Sequence, residues 1–333
     1  MSEFSDEYNV LPYQTRFSLP NFRKSIEPST VTFAPSPVEC EKWYELFICN
    51  LKAKIGKTYY PICRLSDGEF TFMFGKRPPY DNSIFKASTL KYYAKKTIKK
   101  ILSLNKKNGF QAFTGKLYHS GAYTEGERKD ALPEYFKQLK GISVDGVLAL
   151  HLSYNSENPF QEHFFPDIKN WNQQASIIFD TSNYVPFYFV YAMFGGSDGK
   201  EILKDRNVLV AHGATGKKKE NIIQGLLNDN AKHVEWLQIS DKRTLLEKID
   251  VSPFLGKVDI VLVGAGIGKP NIFEQLKPLN VPCIDPGYYF EVWNDPDMKW
   301  GRVMCYTDEE YDEEKIKVAK DKLYGKTTRI RRD

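Results

Sequence analysis

Two carboxylates flank a glycine in Cys63-Arg64-Leu65-Ser66-Asp67-Gly68-Glu69-Phe70, directly after an apolar run, Tyr59 to Leu65, that reads as a buried strand. Acidic side chains on either side of a glycine at a strand end can curl toward one point. Hard oxygen ligands of this sort suit Mg²⁺ or Mn²⁺ together with phosphate oxygens. An ion held at Asp67 and Glu69 would stabilise the negative charge left on a departing nucleoside diphosphate. Arg64 would add a bidentate contact to the same phosphates or keep one carboxylate ionised, with Gly68 among the residues nearest the nucleotide. The same letters also spell a capping box, with Ser66 as N-cap and Glu69 folded back on the Ser66 amide. A capping Glu69 points away from any metal, so the two alternatives make opposite geometric demands.

Three further turns carry chemistry-bearing residues. Val263-Gly264-Ala265-Gly266-Ile267-Gly268 follows a strand pattern, and Asp285 ends the next strand 21 residues past Gly264. This imitates a dinucleotide fingerprint, but the spacing is Gly-x-Gly-x-Gly and Lys269-Pro270 stands where the third glycine belongs. The turn either approaches a phosphate or uridine through Gly264, Ala265 and Gly266, or is a plain tight turn. In His212-Gly213-Ala214-Thr215-Gly216-Lys217-Lys218-Lys219 a glycine turn meets three lysines at a helix start. The P-loop spacing is absent, yet Gly213 and Lys217 are placed to receive an anion at a helix N-terminus, the alternative being a solvated basic turn. Cys283-Ile284-Asp285-Pro286-Gly287-Tyr288-Tyr289-Phe290-Glu291-Val292-Trp293 sets two acids and several aromatics at one strand exit. Sugar transfer needs a base for the acceptor hydroxyl and ring faces for the sugar, which makes Asp285 and Glu291 candidate bases and Tyr288 a candidate donor contact. Asp285 is equally a turn former before Pro286.

The elements that must position these turns are legible in the periodicity. After Asp205 the pattern alternates: strand 207–211, helix 218–227, strand 234–239, helix 242–249, strand 258–263, helix 271–276, strand 281–284. Such alternation means a parallel sheet with crossover helices, whose ligands bind at the carboxyl ends of the strands. Upstream, a helix over 38–54, a strand over 59–65, a helix over 87–104 and strands over 144–152 and 176–180 are expected, with an aromatic helix over 184–194. The fold class is therefore α/β, a Rossmann-like, mostly parallel sheet flanked by helices in one large domain over 37–325. Residues 1–36 read as an N-terminal extension and 326–333 as a basic tail.

The totals exclude several classes. Five cysteines, odd in number and widely spaced, argue for reduced thiols and against a disulfide framework, and no Cys-x-x-Cys pair marks a zinc site. No signal-peptide pattern and no apolar run of about 18 residues occurs, so a cytoplasmic chain without a transmembrane segment is expected. A net charge of +5, from 47 basic and 42 acidic residues, suits an anionic ligand but not nucleic acid. Oligomeric state is open, a homo-oligomer included.

Taken together, Arg64-Leu65-Ser66-Asp67-Gly68-Glu69 resembles the Arg-Phe-Gly-Asp-Gly-Glu signature of GT-D fold glycosyltransferases, a family once grouped as a bacterial domain of unknown function. Asp259-Ile-Val-Leu-Val-Gly264-Ala-Gly266 resembles that family's strand and glycine loop, and Ile284-Asp285-Pro286-Gly287 its closing Ile-Asp-x-Gly-His segment. The resemblance spans about Tyr59 to Trp293, with Ser66 in place of glycine and Tyr288 in place of histidine. It implies a Rossmann-like domain that binds a UDP-sugar through Mn²⁺ or Mg²⁺ at Asp67 and Glu69 and transfers the sugar, as a hexosyltransferase in polysaccharide assembly would, to a glycan, glycoprotein or lipid-linked saccharide. The rival expectations are a Rossmann methyltransferase or NAD-dependent enzyme using Gly264 to Gly268, and a glycan-binding relative without catalysis.

Overall fold

The apolar strand patterns do assemble as one sheet. In the computed structural model, which describes residues 40–76, 117–118, 123–150 and 159–301 and a few positions between 305 and 322, seven strands pair in parallel. They are β1 (Tyr60–Leu65), β4 (Val147–Leu150), β5 (Tyr184–Pro186), β6 (Asn207–His212), β7 (His233–Gln238), β8 (Ile260–Gly264) and β9 (Pro282–Ile284), in the order β5-β4-β1-β9-β8-β6-β7. A two-residue antiparallel pair, β2 (Leu117–Tyr118) and β3 (Tyr123–Thr124), stands apart. The central strands are buried along their whole length, as a parallel sheet covered on both faces requires. Edge strand β7 alternates instead between exposed and half-buried positions.

The helices are α1 (Cys40–Lys54), α2 (Asp67–Phe74), α3 (Glu125–Asp145), α4 (Pro159–Ala175), α5 (Tyr188–Gly195), α6 (Ser197–Leu203), α7 (Gly216–Asn228), α8 (Lys269–Leu276) and α9 (Tyr289–Asn294). One layer holds α2, α3, α4 and α8; Phe72 of α2 meets Tyr135 of α3, and Phe70 meets Phe164 of α4. The other holds α1, α5, α6, α7 and α9, tied by Trp43 against Phe189, Tyr44 against Asp198, and Phe194 against Trp293. The helices after β1 and β9, which are neighbours in the sheet, thus leave toward opposite layers. That is a topological switch point, where the loops diverge and open a crevice at the carboxyl ends.

Three expectations are corrected. Residues 176–180 form no strand: Ser176 turns at φ +52° and Ile178 is exposed. The strand beside β4 is Tyr184–Pro186, the opening of the segment read as all helix, and α5 starts only at Tyr188. Helix 242–249 shrinks to one 3₁₀ turn, Thr244–Leu246, because side chains of α8 take its backbone: Asn271 donates to the carbonyls of Thr244 and Glu247, and Gln275 bonds both Glu247 and Ile249. The 21-residue α3 lay outside the expected elements, although its start, Thr124-Glu125-Gly126-Glu127, spells a capping box: the Thr124 hydroxyl accepts from the Glu127 amide, and the Glu127 carboxylate accepts from the Thr124 amide. The expected helix over 87–104 and both chain ends lie outside the described residues. Among those described, no helix is long and apolar enough to cross a membrane.

Gly146, between α3 and β4, lies so close to β1 that an added Cβ would stand 2.2 Å from the Pro61 carbonyl oxygen. Gly146→Ala should therefore lower stability by about 1–3 kcal/mol through overpacking, read as a shifted denaturation midpoint with unchanged slope.

Candidate functional site

Four strands consecutive in the sheet, β1, β9, β8 and β6, end in the four turns singled out from sequence. Arg64 and Asp285, at opposite ends of the described fold in sequence, therefore share one edge. Along it the charged groups sort into a buried quartet at β1 and β9 and a solvated pair farther along.

The quartet is Arg64, Glu69, Lys269 and Asp285, each at most 7 % exposed. Lys269 Nζ lies 2.8 Å from Glu69 Oε1 and 2.6 Å from Asp285 Oδ2, and donates to the Arg64 carbonyl at 2.8 Å. Glu69 Oε2 accepts from the Ser66 amide at 2.9 Å, which completes the capping box at the start of α2. Asp285 Oδ1 accepts from the Gly287 amide at 2.9 Å. Arg64 Nε is 3.8 Å from Asp285 Oδ2, and the guanidinium lies over the Tyr191 ring at 4.4 Å. Gly287, at φ +54°, presses on it from the other side: a Cβ there would be 2.0 Å from an Arg64 nitrogen, so a side chain would be strained and would push the guanidinium aside. Arg64 Nε and Nη1 are buried without a hydrogen-bond partner.

Burial works against charge on Arg64, Lys269 and Asp285, and the attraction of their neighbours decides the outcome. It pushes the Asp285 carboxyl up, but Lys269 and Arg64 pull it below its ordinary value. Desolvation likewise opposes the Lys269 and Arg64 charges. For Lys269 the carboxylates of Asp285 and Glu69 win, and for Arg64 Tyr191 does so together with them, so both cations are held above their usual range.

Measured against the expectations, Glu69 takes the capping geometry and spends its second oxygen on Lys269. The side chain of Asp67 lies outside the described part of the structure. As placed, the described residues present no vacant set of oxygens to a divalent ion, and among them no cluster of three or more His, Cys, Asp or Glu stands ready to bind one. The expected Mn²⁺ or Mg²⁺ does not fit beside Glu69 unless Lys269 is displaced. Gly68 has open space around it, in the first turn of α2.

The glycine turns are close-packed for reasons of their own. At Gly264 a Cβ would strike the His212 ring, at Gly213 the Asp241 backbone, and at Gly268 the Leu245 amide. Gly266 needs φ +54°, and the Ala265 carbonyl accepts from the Thr244 hydroxyl at 2.6 Å. This is why a glycine pattern of dinucleotide type arises without the fingerprint's third glycine. His212 packs edge-on against Phe290 at 4.6 Å and accepts from the Ala214 amide at 2.8 Å. Burial, with help from Lys218, lowers its pKa from 6.5 to about 4. Tyr288 donates its hydroxyl to the Met298 carbonyl at 2.7 Å. Glu291, about two-fifths exposed, pairs with Lys218 at 2.5 Å across α9 and α7, and Lys217 is exposed beside them.

Lys269 enters the sequence reading only as a break in the glycine pattern, and Tyr191 not at all as a site residue. Lys269 had a physical signal: it is the first residue of α8, where the positive end of the helix dipole disfavours a cation unless something else holds it. Tyr191 had none, since it sits within an aromatic run. Two open clefts lie elsewhere. One of about 480 Å³ at the amino ends of the strands includes Lys54, Asp145 and Asn183, and one of about 420 Å³ lies between α2, α3 and α4 around Phe74, Phe136 and Trp171. Neither contains a member of the quartet, and the chemistry of the carboxyl edge decides the site here.

Fold and edge together define an α/β protein with a charged, buried switch point between parallel strands. No family model matches the chain, and no curated protein matches it. Among solved structures it is similar to one titled "Selenomethionine substituted structure of domain of unknown function 1792", with 14 % identity over 81 % of this chain and 93 % of that one and a TM-score of 0.40. That likeness carries no functional information.

Removing one member of the quartet strands an opposite charge. Lys269→Met should cost about 3–5 kcal/mol of stability, whereas Lys218→Met, whose partner is solvated, should cost under about 1 kcal/mol; chemical denaturation compares them. His212 is neutral when folded and protonates more readily unfolded, so its contribution is complete above pH 6.5 and lost as pH falls toward about 4. His212→Gln should flatten the stability profile over that interval.

Proposed function

We propose that this chain is a glycosyltransferase that moves a sugar from a nucleoside diphosphate, with UDP as the leading candidate, to an acceptor hydroxyl. The observation that carries this is the buried Arg64 guanidinium, whose Nε and Nη1 have no hydrogen-bond partner, at the switch point between β1 and β9. A diphosphate supplies several anionic oxygens for such donors, and the turn of α2 beside it resembles the GT-D signature. Gly68, Ala265 and Gly266 line the approach for the nucleotide, and Gly213 with Lys217 stands at the far end of the same edge.

The reaction asks for two things from the protein. The acceptor oxygen bonds to the anomeric carbon as the bond from that carbon to the phosphate oxygen breaks, and the electron pair leaves with the diphosphate. Arg64 meets that charge. The hydroxyl proton must go to a base, and of the two acids at the β9 exit Asp285 has both oxygens occupied, by Lys269 and by the Gly287 amide. Glu291 keeps one oxygen outside its pair with Lys218 and is solvent-accessible, so we assign it the proton. Tyr288 borders the donor sugar, and the acceptor is a glycan, glycoprotein or lipid-linked saccharide. The packing of His212 and Leu245 against the glycine turns speaks against an adenine dinucleotide lying there.

Saturating UDP should raise the melting temperature by several degrees, and S-adenosylmethionine or NAD should leave it unchanged. The opposite pattern sinks the assignment. Glu291→Gln should lower sugar transfer by about 10²–10⁴-fold while UDP binding stays near wild type, which titration calorimetry reads separately from turnover.

A further inference from the structure

Three oxygens converge on one buried point: Glu69 Oε1, Asp285 Oδ2 and the Arg64 carbonyl, 2.8, 2.6 and 2.8 Å from Lys269 Nζ. Two are anionic and all are hard, which is the partial ligand set that a divalent cation uses. Here a covalently attached ammonium fills the point, its three donors matched to three acceptors. The bookkeeping of charge closes inside the protein, since Arg64 and Lys269 balance Glu69 and Asp285. The quartet therefore has no surplus negative charge with which to draw in a metal.

Arg64 supplies a second, independent observation. Lys269, Glu69 and Asp285 have their polar atoms engaged, whereas Arg64 Nε and Nη1 are buried and make no hydrogen bond. A buried charged donor without an acceptor is costly, and a phosphate entering from the strand ends removes that cost.

We propose that Lys269 is the resident cation of this site, seated where a divalent ion would otherwise bind, and that the phosphate of the ligand is received by Arg64 without Mn²⁺ or Mg²⁺. This rests on the nucleoside diphosphate reading above only for the identity of the phosphate. The role of Lys269 is one of positioning: it fixes Glu69 at the α2 start and Asp285 under the Gly287 turn, and so sets where Arg64 points.

The test needs no variant at its first step. Titration calorimetry of the wild-type chain with UDP should give dissociation constants within about twofold in EDTA and in Mn²⁺, and Mn²⁺ alone should leave the melting temperature unchanged. UDP binding that weakens more than tenfold in EDTA overturns the resident cation and leaves the glycosyltransferase reading standing. No UDP binding in either buffer overturns both. Lys269→Ala empties the point while keeping its three oxygens, so its lowered melting temperature should recover in Mn²⁺ or methylammonium, neither of which affects the wild type. If Lys269→Ala does not fold, Lys269→Arg serves: it should bind UDP at least tenfold more weakly than wild type, still without a metal requirement. Equal rescue of wild type and variant by Mn²⁺ counts against the proposal.

Discussion

One ammonium group organises the carboxyl edge of this sheet. Lys269 joins the end of β1, the cap of α2 and the exit of β9 through three short contacts, and it begins α8 itself. Burying it alone would be prohibitive. Burying it with two carboxylates and a carbonyl is feasible only if all four groups hold their places, so the cluster is rigid or absent. A quartet of this kind is a poor source of net stability and a strong determinant of geometry.

Other features of the edge follow from that constraint. Glu69 must face inward to reach Lys269, which commits it to the Ser66 amide and starts α2 at Asp67. Arg128 closes the far end of α2 by donating to the Phe72 carbonyl at 2.8 Å, so the short helix is held at both termini. Asp285 must face Lys269, which turns its other oxygen to the Gly287 amide and lays that turn over Arg64. The result is a guanidinium between an aromatic ring and a glycine, charged, buried and short of acceptors. A site of this form favours a ligand that brings anionic oxygens.

The comparison with the GT-D signature gains meaning at this level. The resemblance lies in letters, Arg-x-x-Asp-Gly-Glu after a strand and Asp-x-Gly after another, and the fold sets both segments on adjacent strands at a switch point. What the letters do not convey is that a lysine from a third strand's turn enters between them. It engages Glu69, one of the two acids of that motif, with a cation of the protein's own.

Much of the architecture was legible from local pattern. The apolar runs of β1, β4, β6, β8 and β9 and the crossover helices α7 and α8 are readable because those strands are buried on both faces and those helices carry a repeating apolar stripe, both local properties. The strand at 184–186 and the collapse of helix 242–249 were decided elsewhere, by pairing with β4 and by the side chains of Asn271 and Gln275, which no local window contains. So too with the site. Sequence marked Arg64, Asp67, Glu69, Asp285 and Glu291 because acids beside glycines at strand ends are rare and chemically pointed. Whether Glu69 capped or ligated depended on where Lys269 stood, 200 residues later in the chain. Electrostatic partnership over that separation is a property of the folded molecule: only the sheet order β1-β9-β8, which sets the turns after β1 and β8 on either side of the β9 exit, brings the charges within 3 Å, and at that distance in a dry interior they determine one another's roles.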